Sequence, residues 1–390
     1  MSAPLIIVGA GQAGMRAAET LRRLGFDGGI ALIGEEIHPP YQRPPLSKKF
    51  LLGEMSEEQL WLQGDGFFAQ NAIDFMAGLR VVSLDPRGKR VRLSDGGERD
   101  YSTLILATGS HARALPVPGA GLPGVYSLRS IADVLRLREA VAEAGRIAIV
   151  GGGYIGLEVA AVMREQGKSV VVLEGEDRLL KRVMSPLMSD FFRTLHLKHG
   201  AEIRLSERVV RLLGGDHVEA VELADGETVA ADLVLVAVGG RANDELAEEA
   251  GIACQDGVIV DQHALAAPDI YAIGDCSRFP LRRYGRHVRL ESVQNANDQA
   301  RAAAAAIVGK PEVYDPVPWF WSDQYDVKLQ IAGLAQGYDR HTTEGEPDSG
   351  SFSVSYFHGD RLLAVDAVNA PRAHMLSRRA LAQVPGMPGA

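Results

Sequence analysis

Two glycine-rich stretches with one spacing, Gly9-Ala10-Gly11-Gln12-Ala13-Gly14 and Gly151-Gly152-Gly153-Tyr154-Ile155-Gly156, could do the most specific chemistry in this sequence. A G-x-G-x-x-G turn between a buried strand and a helix gathers bare backbone amides and the positive end of a helix dipole at one point, which suits a pyrophosphate. Each copy follows an apolar run, Leu5-Ile6-Ile7-Val8 or Ile147-Ala148-Ile149-Val150, and each leads into an alanine-rich helical stretch. A single copy could be no more than a strand-to-helix turn; two, each followed by a strand that ends in a carboxylate, predict two bound dinucleotides. The first such strand, Ile30-Ala31-Leu32-Ile33, ends at Gly34-Glu35-Glu36, and the second, Val170-Val171-Val172-Leu173, ends at Glu174. A carboxylate in that place accepts hydrogen bonds from an adenosine ribose and repels a 2′-phosphate. Glu174 therefore predicts NADH rather than NADPH for the second site, with Arg178, four residues on, as the group that could weaken the preference.

The elements that must position these residues repeat. After the first fingerprint comes a hairpin signal, Val91-Arg92-Leu93 followed by Ser94-Asp95-Gly96-Gly97, then an apolar strand, Leu104-Ile105-Leu106-Ala107, ending in Thr108-Gly109. The second half has Val221-Glu222-Leu223, Ala224-Asp225-Gly226-Glu227 and a strand over Leu233 to Val238 ending in Gly239-Gly240. Asp-Gly between such runs marks a tight hairpin. A further strand, Asp269 to Ile273, runs into Gly274-Asp275, with a helix from Val293 through Ala306; it is expected to rejoin the first unit, so that the second is inserted into the first. From Pro316 short alternating stretches such as Phe352 to Phe357 predict a C-terminal antiparallel sheet. The fold class is thus α/β: two doubly wound Rossmann-like nucleotide-binding domains, the second inserted in the first, plus a C-terminal α+β domain. The expected boundaries are 1–112 with 243–315, 113–242, and 316–390, with disorder over Val384 to Gly389.

Composition narrows the functions. The chain has 390 residues, is 46% hydrophobic and carries a net charge of -9, which argues against a nucleic-acid partner, since phosphate backbones call for clustered cations. Apolar stretches are broken by charge well short of the ~20 residues of a membrane span, and the N-terminus has no basic region leading into an apolar signal core; a cytoplasmic location is expected. Only Cys254 and Cys276 are present, far apart, so there is no C-x-x-C pair to relay electrons through a disulfide, and Cys276 reads as a small buried residue. No metal site is expected.

Across nearly its whole length the chain resembles the FAD- and NADH-dependent ferredoxin reductases of bacteria, a group within the pyridine nucleotide-disulfide oxidoreductase fold that includes putidaredoxin and rhodocoxin reductases and the reductase components of aromatic dioxygenases. The residues that carry the resemblance are Pro44-Pro45-Leu46-Ser47-Lys48, Ala107-Thr108-Gly109, Gly151 through Glu158, Ile273-Gly274-Asp275-Cys276, Glu291-Ser292-Val293 and Pro318-Trp319-Phe320-Trp321-Ser322-Asp323-Gln324. The last is the most specific, because other two-dinucleotide flavoproteins lack it.

The resemblance implies an enzyme that passes a hydride from NADH to FAD and then single electrons to a [2Fe-2S] ferredoxin, which feeds a haem monooxygenase or a ring-hydroxylating oxygenase. The partner would be acidic and transiently bound, and the enzyme a monomer; rubredoxin is the alternative acceptor. An NADH-sensing flavoprotein of apoptosis-inducing-factor type is a second alternative.

It also implies roles. FAD would be held by Gly9, Gly11, Ala13, Gly14, Glu35, Arg43, Lys48, Val81, Ala107, Thr108, Gly109, Arg129, Gly274, Asp275 and Val293, and NADH by Gly151, Gly153, Ile155, Gly156, Glu174 and Gly239. Lys48 would lie near the flavin N5 and pair with Glu158 on the first turn of its helix. Tyr154 would cover the nicotinamide face until NADH displaces it, Trp321 would stand on the outlet side, and Trp319 would pack into the core. The loop Ala237 to Asn243 lacks a proline common in the family, which leaves its conformation open. Finally, Arg278, Arg282, Arg283, Arg286 and Arg289, with no acidic residue among them, are expected to form a basic patch beside the flavin that steers the ferredoxin.

Overall fold

The computed structural model describes residues 3–64, 66–384 and 386. Leu5–Val8, buried at every position, is a central strand whose apolar faces both meet protein, as a parallel strand covered on two sides requires. Burying each such side chain contributes about 1.5–3 kcal/mol. It pairs in parallel with Ile30–Gly34 on one side and Thr103–Leu106 on the other. The six-stranded sheet runs 265–267, 270–272, 103–106, 5–8, 30–34, 73–77. Helix α1 (Gln12–Arg23) and a helix from Val293 to Ile307 cover one face, their contact lined with Ala17, Ala18, Ala300, Ala303 and Ala304, small enough for the two backbones to approach closely.

The second sheet repeats the plan: Arg146–Val150 is central, flanked in parallel by Ser169–Glu174 and Leu233–Val236. Helix α2 (Tyr154–Glu165) follows its fingerprint as α1 follows the first. The strand Ile270–Ala272, beyond this whole unit in sequence, pairs in parallel with Thr103–Leu106 of the first sheet, so the NAD unit is inserted in the FAD unit. The chain crosses between them on an antiparallel ribbon, Ser110–Ala112 against Gly240–Ala242.

Two strands end sooner than the apolar runs suggest, at Leu106 and Val236, for one reason. A side chain on Gly9 would sit 2.1 Å from the Ala107 carbonyl oxygen, and one on Gly151 2.5 Å from that of Ala237. The residue after each strand therefore leaves the ladder to lie under the first glycine of a fingerprint.

The C-terminal sheet is antiparallel, ordered 319–324, 327–333, 361–368, 351–358, 340–346. Helix α3 (Pro186–Lys198) belongs to the NAD unit, helix α4 is the Val293–Ile307 segment, and helix α5 (Pro371–Gln383) packs on the C-terminal sheet. Of the tail expected to be disordered, Val384 donates its amide to Leu381, and residues 385 and 387–389 lie outside the described residues. Among the described residues no helix is long and apolar enough to cross a membrane.

Candidate functional site

The two fingerprints have the same local geometry. The first glycine of each has φ of +110°, a value open to glycine and costly for other residues. The third packs on the first: side chains at Gly14 and Gly156 would strike the carbonyl oxygens of Gly9 and Gly151 at 2.0 and 2.2 Å. The second glycine, Gly11 or Gly153, faces open space, and neither helix start has a side-chain cap. Both turns thus offer uncapped amides and a helix N-terminus to an anion, which fits a pyrophosphate in each.

At the second turn Glu174 Oε2 accepts from the Gly152 amide at 2.7 Å, and Oε1 from the Glu176 amide at 2.9 Å, fixing the carboxylate beside the fingerprint. Arg178 is turned away and committed: it donates to the Met184 carbonyl, Ser189 Oγ and the Lys181 carbonyl at 2.7, 2.7 and 3.0 Å. Ile155 is an exposed apolar side chain at the same helix start. At the first turn the two strand-end carboxylates differ. Glu36 is engaged by Tyr41 OH at 2.6 Å and Arg43 at 2.8 Å, whereas Glu35 is 69% exposed, with only Arg80 nearby at 3.9 Å.

Arg43 links this end to the middle of the unit. It donates to the Arg129 carbonyl at 2.6 Å, and the Arg129 guanidinium donates to Asp275 at 2.9 Å, as does Ser110 Oγ. Arg129 Nε is buried without a protein partner, which leaves a donor for a ligand to meet. Gly274, at φ +73°, lies so close to α1 that a side chain there would meet Ala13 at 2.9 Å. Thr108 Oγ1 donates to the Asn243 carbonyl and Asn243 Nδ2 to the Thr108 carbonyl, at 2.6 and 2.7 Å, so the loop without proline is tied to the first unit.

A cleft of about 380 Å³ opens where the first unit meets the C-terminal sheet, lined by Gln12, Pro44, Pro45, Lys48, Val293 and Trp321 among others. Lys48 Nζ is 2.6 Å from Glu158 Oε2. Glu158 is only 6% exposed and stands one turn into α2, not on its first turn as expected. Its oxygens also accept from Ser47 Oγ at 2.5 Å and Ser322 Oγ at 2.7 Å. A buried carboxylate is tolerated when its lone pairs are met in this way. Ser47, Ser322 and Glu36 make side-chain contacts at the site that sequence reading did not single out, although the first two fall inside the Pro44–Lys48 and Pro318–Gln324 signatures.

Trp321 stacks on Trp319, with centroids 5.6 Å apart, and Trp319 in turn meets the Arg378 guanidinium at 4.9 Å and the His374 ring at 6.2 Å. Trp319 is half-buried in this ladder and not a core residue, because helix α5 supplies Arg378 where a core would supply an aliphatic side chain. Tyr154 packs on Phe320 at 4.7 Å with its hydroxyl buried and unpartnered; burial raises that phenol well above its ordinary range. The structure brings Lys48, Glu158, Val293 and Trp321 together, with Tyr154 adjoining through Phe320. Val81 stands apart, buried in the core that also holds Val8 and Ile33.

The basic segment departs from expectation. Its residues form a hairpin, Ser277–Leu281 with Arg286–Val288, in which Arg278 and Arg289 face Asp256, and Arg289 also Glu291. Arg283 is bound to the Leu381 and Val384 carbonyls at the end of α5, Arg282 to Gln262 and Arg286 to Gln336. None of the five lines the cleft at Trp321. Carboxylates thus answer only Arg278 and Arg289, while Arg282, Arg283 and Arg286 meet neutral acceptors and keep their charge, on a surface outside the cleft.

Neither thiol is suited to redox relay. Cys276 is fully buried and its thiol is held above its usual range by that burial, while burial, with nearby acidic residues, pushes Cys254 up to about 11. Changing both to Ala is expected to leave NADH-to-acceptor turnover within a few-fold of wild type; collapse of acceptor reduction in a folded, flavin-loaded variant would place a thiol in the electron path.

The chain matches the family described as pyridine nucleotide-disulphide oxidoreductase over residues 3–300, and that described as reductase C-terminal over residues 319–386. It is 45% identical over 381 residues to rhodocoxin reductase of Rhodococcus erythropolis, an alignment covering 97% of this chain and 89% of that one. Among solved structures it superposes on the ferredoxin reductase for the CYP199A2 system of Rhodopseudomonas palustris with a TM-score of 0.96 and 40% identity, over 99% and 96% of the two chains. On the covalent putidaredoxin reductase–putidaredoxin complex the TM-score is 0.95 and the identity 38%, over 97% and 93%. With two cradles for dinucleotides, no disulfide relay and a charged pair in the cleft between the units, the chain belongs to the pyridine nucleotide-disulphide oxidoreductases, in their ferredoxin reductase branch, and is an oxidoreductase that binds FAD and NAD(H).

Proposed function

We propose that this protein is an NADH-dependent ferredoxin reductase that converts NADH and two oxidised [2Fe-2S] ferredoxins to NAD+, a proton and two reduced ferredoxins. The observation that carries the reading is the Lys48–Glu158 pair in a cleft walled by Trp321, with a dinucleotide cradle on either side. FAD, when bound, supplies hydride acceptance and the division of two electrons into single steps. The chain's own residues bind and orient. Gly11 and the amides that follow it meet the FAD pyrophosphate, Glu35, the unengaged carboxylate, meets its ribose, and Asp275, fixed by Arg129 and Ser110, meets the ribityl chain. In the second unit Gly153 and Glu174 hold the NADH pyrophosphate and ribose, Ile155 and Gly239 flank them, and Tyr154 covers the nicotinamide side of the cleft. Lys48 provides a cation fixed by Glu158 for the negative charge that the hydride brings.

The arginine ladder supports a docking surface different from the 278–289 hairpin. Helix α5 exposes Arg372, Arg378 and Arg379 with no acidic residue, beside the exposed apolar side chains of Met375 and Leu376, and Arg378 leads through Trp319 to Trp321 at the cleft. An acidic ferredoxin meets there both charge attraction and an aromatic path to the flavin. Changing Arg378 and Arg379 to Glu is expected to raise the KM for ferredoxin several-fold at low ionic strength, with the difference shrinking as salt screens the surface, and to leave ferricyanide reduction unchanged. Equal ferredoxin kinetics in mutant and wild type would remove α5 from the docking surface. Rapid NADH oxidation by ferricyanide in either protein supports a turnover enzyme; a long-lived NADH-reduced form that ferricyanide does not discharge would instead favour a sensor.

A further inference from the structure

The Pro318–Gln324 signature contains two fully buried polar side chains, Ser322 and Gln324, that the reading above leaves without a role. They begin a hydrogen-bond chain that runs from Glu158 into the NAD unit. Ser322 Oγ is 2.7 Å from Glu158 Oε1, Gln324 Nε2 is 3.2 Å from Ser322 Oγ, Gln324 Oε1 is 2.9 Å from His196 Nε2, and His196 Nδ1 is 3.3 Å from Tyr325 OH. Tyr325 stacks on His199, at 3.7 Å between centroids, where the chain reaches the surface.

Its direction follows from its first member. As the ion-pair partner of Lys48, Glu158 is a carboxylate and can only accept, so the Ser322 hydroxyl donates to it and must accept from the Gln324 amide. The Gln324 carbonyl then faces His196, whose Nε2 carries the proton, leaving Nδ1 to accept from Tyr325. Burial lowers His196 to about 4, so the ring is neutral near pH 7 and has one N–H to give, as this direction requires. Every donor in the chain points towards Glu158. The members come from two separate parts of the fold: His196 lies on α3 and Glu158 on α2 of the NAD unit, while Ser322 and Gln324 lie on the C-terminal sheet.

We propose that Ser322, Gln324 and His196 are positioning residues for the flavin chemistry: they offset part of the Glu158 charge, so that the Lys48 cation acts on the bound flavin instead of being neutralised by its partner. This rests on Lys48 standing at the flavin, as proposed above. Without Ser322 Oγ, buried Glu158 Oε1 keeps no protein donor, and the carboxylate draws its compensation through Oε2 alone, from Ser47 Oγ and, more heavily than before, from Lys48. The flavin then sees a weaker cation, and its reduced form is held less well.

The test is the midpoint potential of the flavin-loaded protein, with NADH affinity and thermal stability measured alongside, for Ser322→Ala, Gln324→Leu, His196→Phe and His196→Gln, and with Lys48→Met as calibration. Ser322→Ala and Gln324→Leu are expected to weaken the hold on reduced flavin about tenfold, a fall of about 30 mV for a two-electron couple. His196→Phe, which leaves the Gln324 carbonyl unpaired, is expected to give a smaller fall in the same direction. His196→Gln, which retains a donor, should return the potential to within twofold of wild type in the same equilibrium, and NADH affinity should stay constant throughout. If His196→Phe fails to retain flavin, Ser322→Ala, which removes a single oxygen, decides. An unchanged potential in Ser322→Ala and Gln324→Leu, with Lys48→Met shifted, overturns the role of the chain even if stability falls. An unchanged potential in Lys48→Met as well would show that the placement of Lys48 at the flavin is at fault.

Discussion

Replacing Lys48 with Met should slow flavin reduction by NADH roughly a hundredfold, the loss seen when a fixed electrostatic stabiliser of developing charge is removed. NADH affinity should barely change, since Lys48 belongs to the first unit and Glu174 to the second. A confounding loss of stability is expected as well, because removing one partner of a largely buried ion pair typically costs about 3–5 kcal/mol. Glu158→Gln separates the two effects. It also breaks the pair, but it leaves the cation in place, so reduction should remain within about tenfold of wild type. Stopped-flow absorbance at the flavin band gives both rates. Equal slowing in Lys48→Met and Glu158→Gln would mean that the pair acts by holding the units together and not by its charge.

The second large effect concerns nucleotide choice. Glu174→Arg should shift the NADH-over-NADPH ratio of kcat/KM by two orders of magnitude or more, since a hydrogen bond to a charged group is worth ~1.5–3 kcal/mol, a repulsion becomes an attraction, and 1.4 kcal/mol is tenfold. Glu174 also holds the Gly152 and Glu176 amides, so part of the loss should appear as weaker binding of both nucleotides. Glu174→Gln, which can keep one of those contacts, should retain more NADH activity than Glu174→Ala. A wild-type preference for NADPH would contradict the assignment, and would turn attention to Arg178 and whether it can leave its carbonyl partners.

What could be read from the sequence was whatever repeats or lies close in the chain. The fingerprint strands, the Asp-Gly hairpins and the return of Ile270–Ala272 to the first sheet follow from local apolar runs and turn residues, and the structure holds all of them. The Lys48–Glu158 contact came from resemblance alone, since nothing local links residues 110 positions apart. The hydroxyl of Ser322 and the ring of His196 could not be read, because their partners lie 164 and 128 residues away and are fixed by how three units meet. The place of the arginine run, outside the cleft at Trp321, could not be read for the same reason. A string of five cations looks free in sequence, but Asp256 and the carbonyls ending α5 reach it only through the fold. Packing also decided where strands stop: the runs through Ala107 and Val238 are apolar enough to continue, and the close approach of Gly9 and Gly151 ends them.

The central claim, that two electrons enter from one NADH and leave singly to an iron–sulfur protein, is tested most directly by anaerobic titration. The flavin-loaded protein, at catalytic concentration with excess oxidised [2Fe-2S] ferredoxin, is given limiting NADH while the NADH absorbance and the ferredoxin spectrum are followed together. Two ferredoxins reduced for each NADH consumed, at rates of the same order as ferricyanide reduction, is the expected result. Consumption of NADH with no ferredoxin reduced across a panel of acidic [2Fe-2S] proteins, while ferricyanide is reduced rapidly, would contradict it.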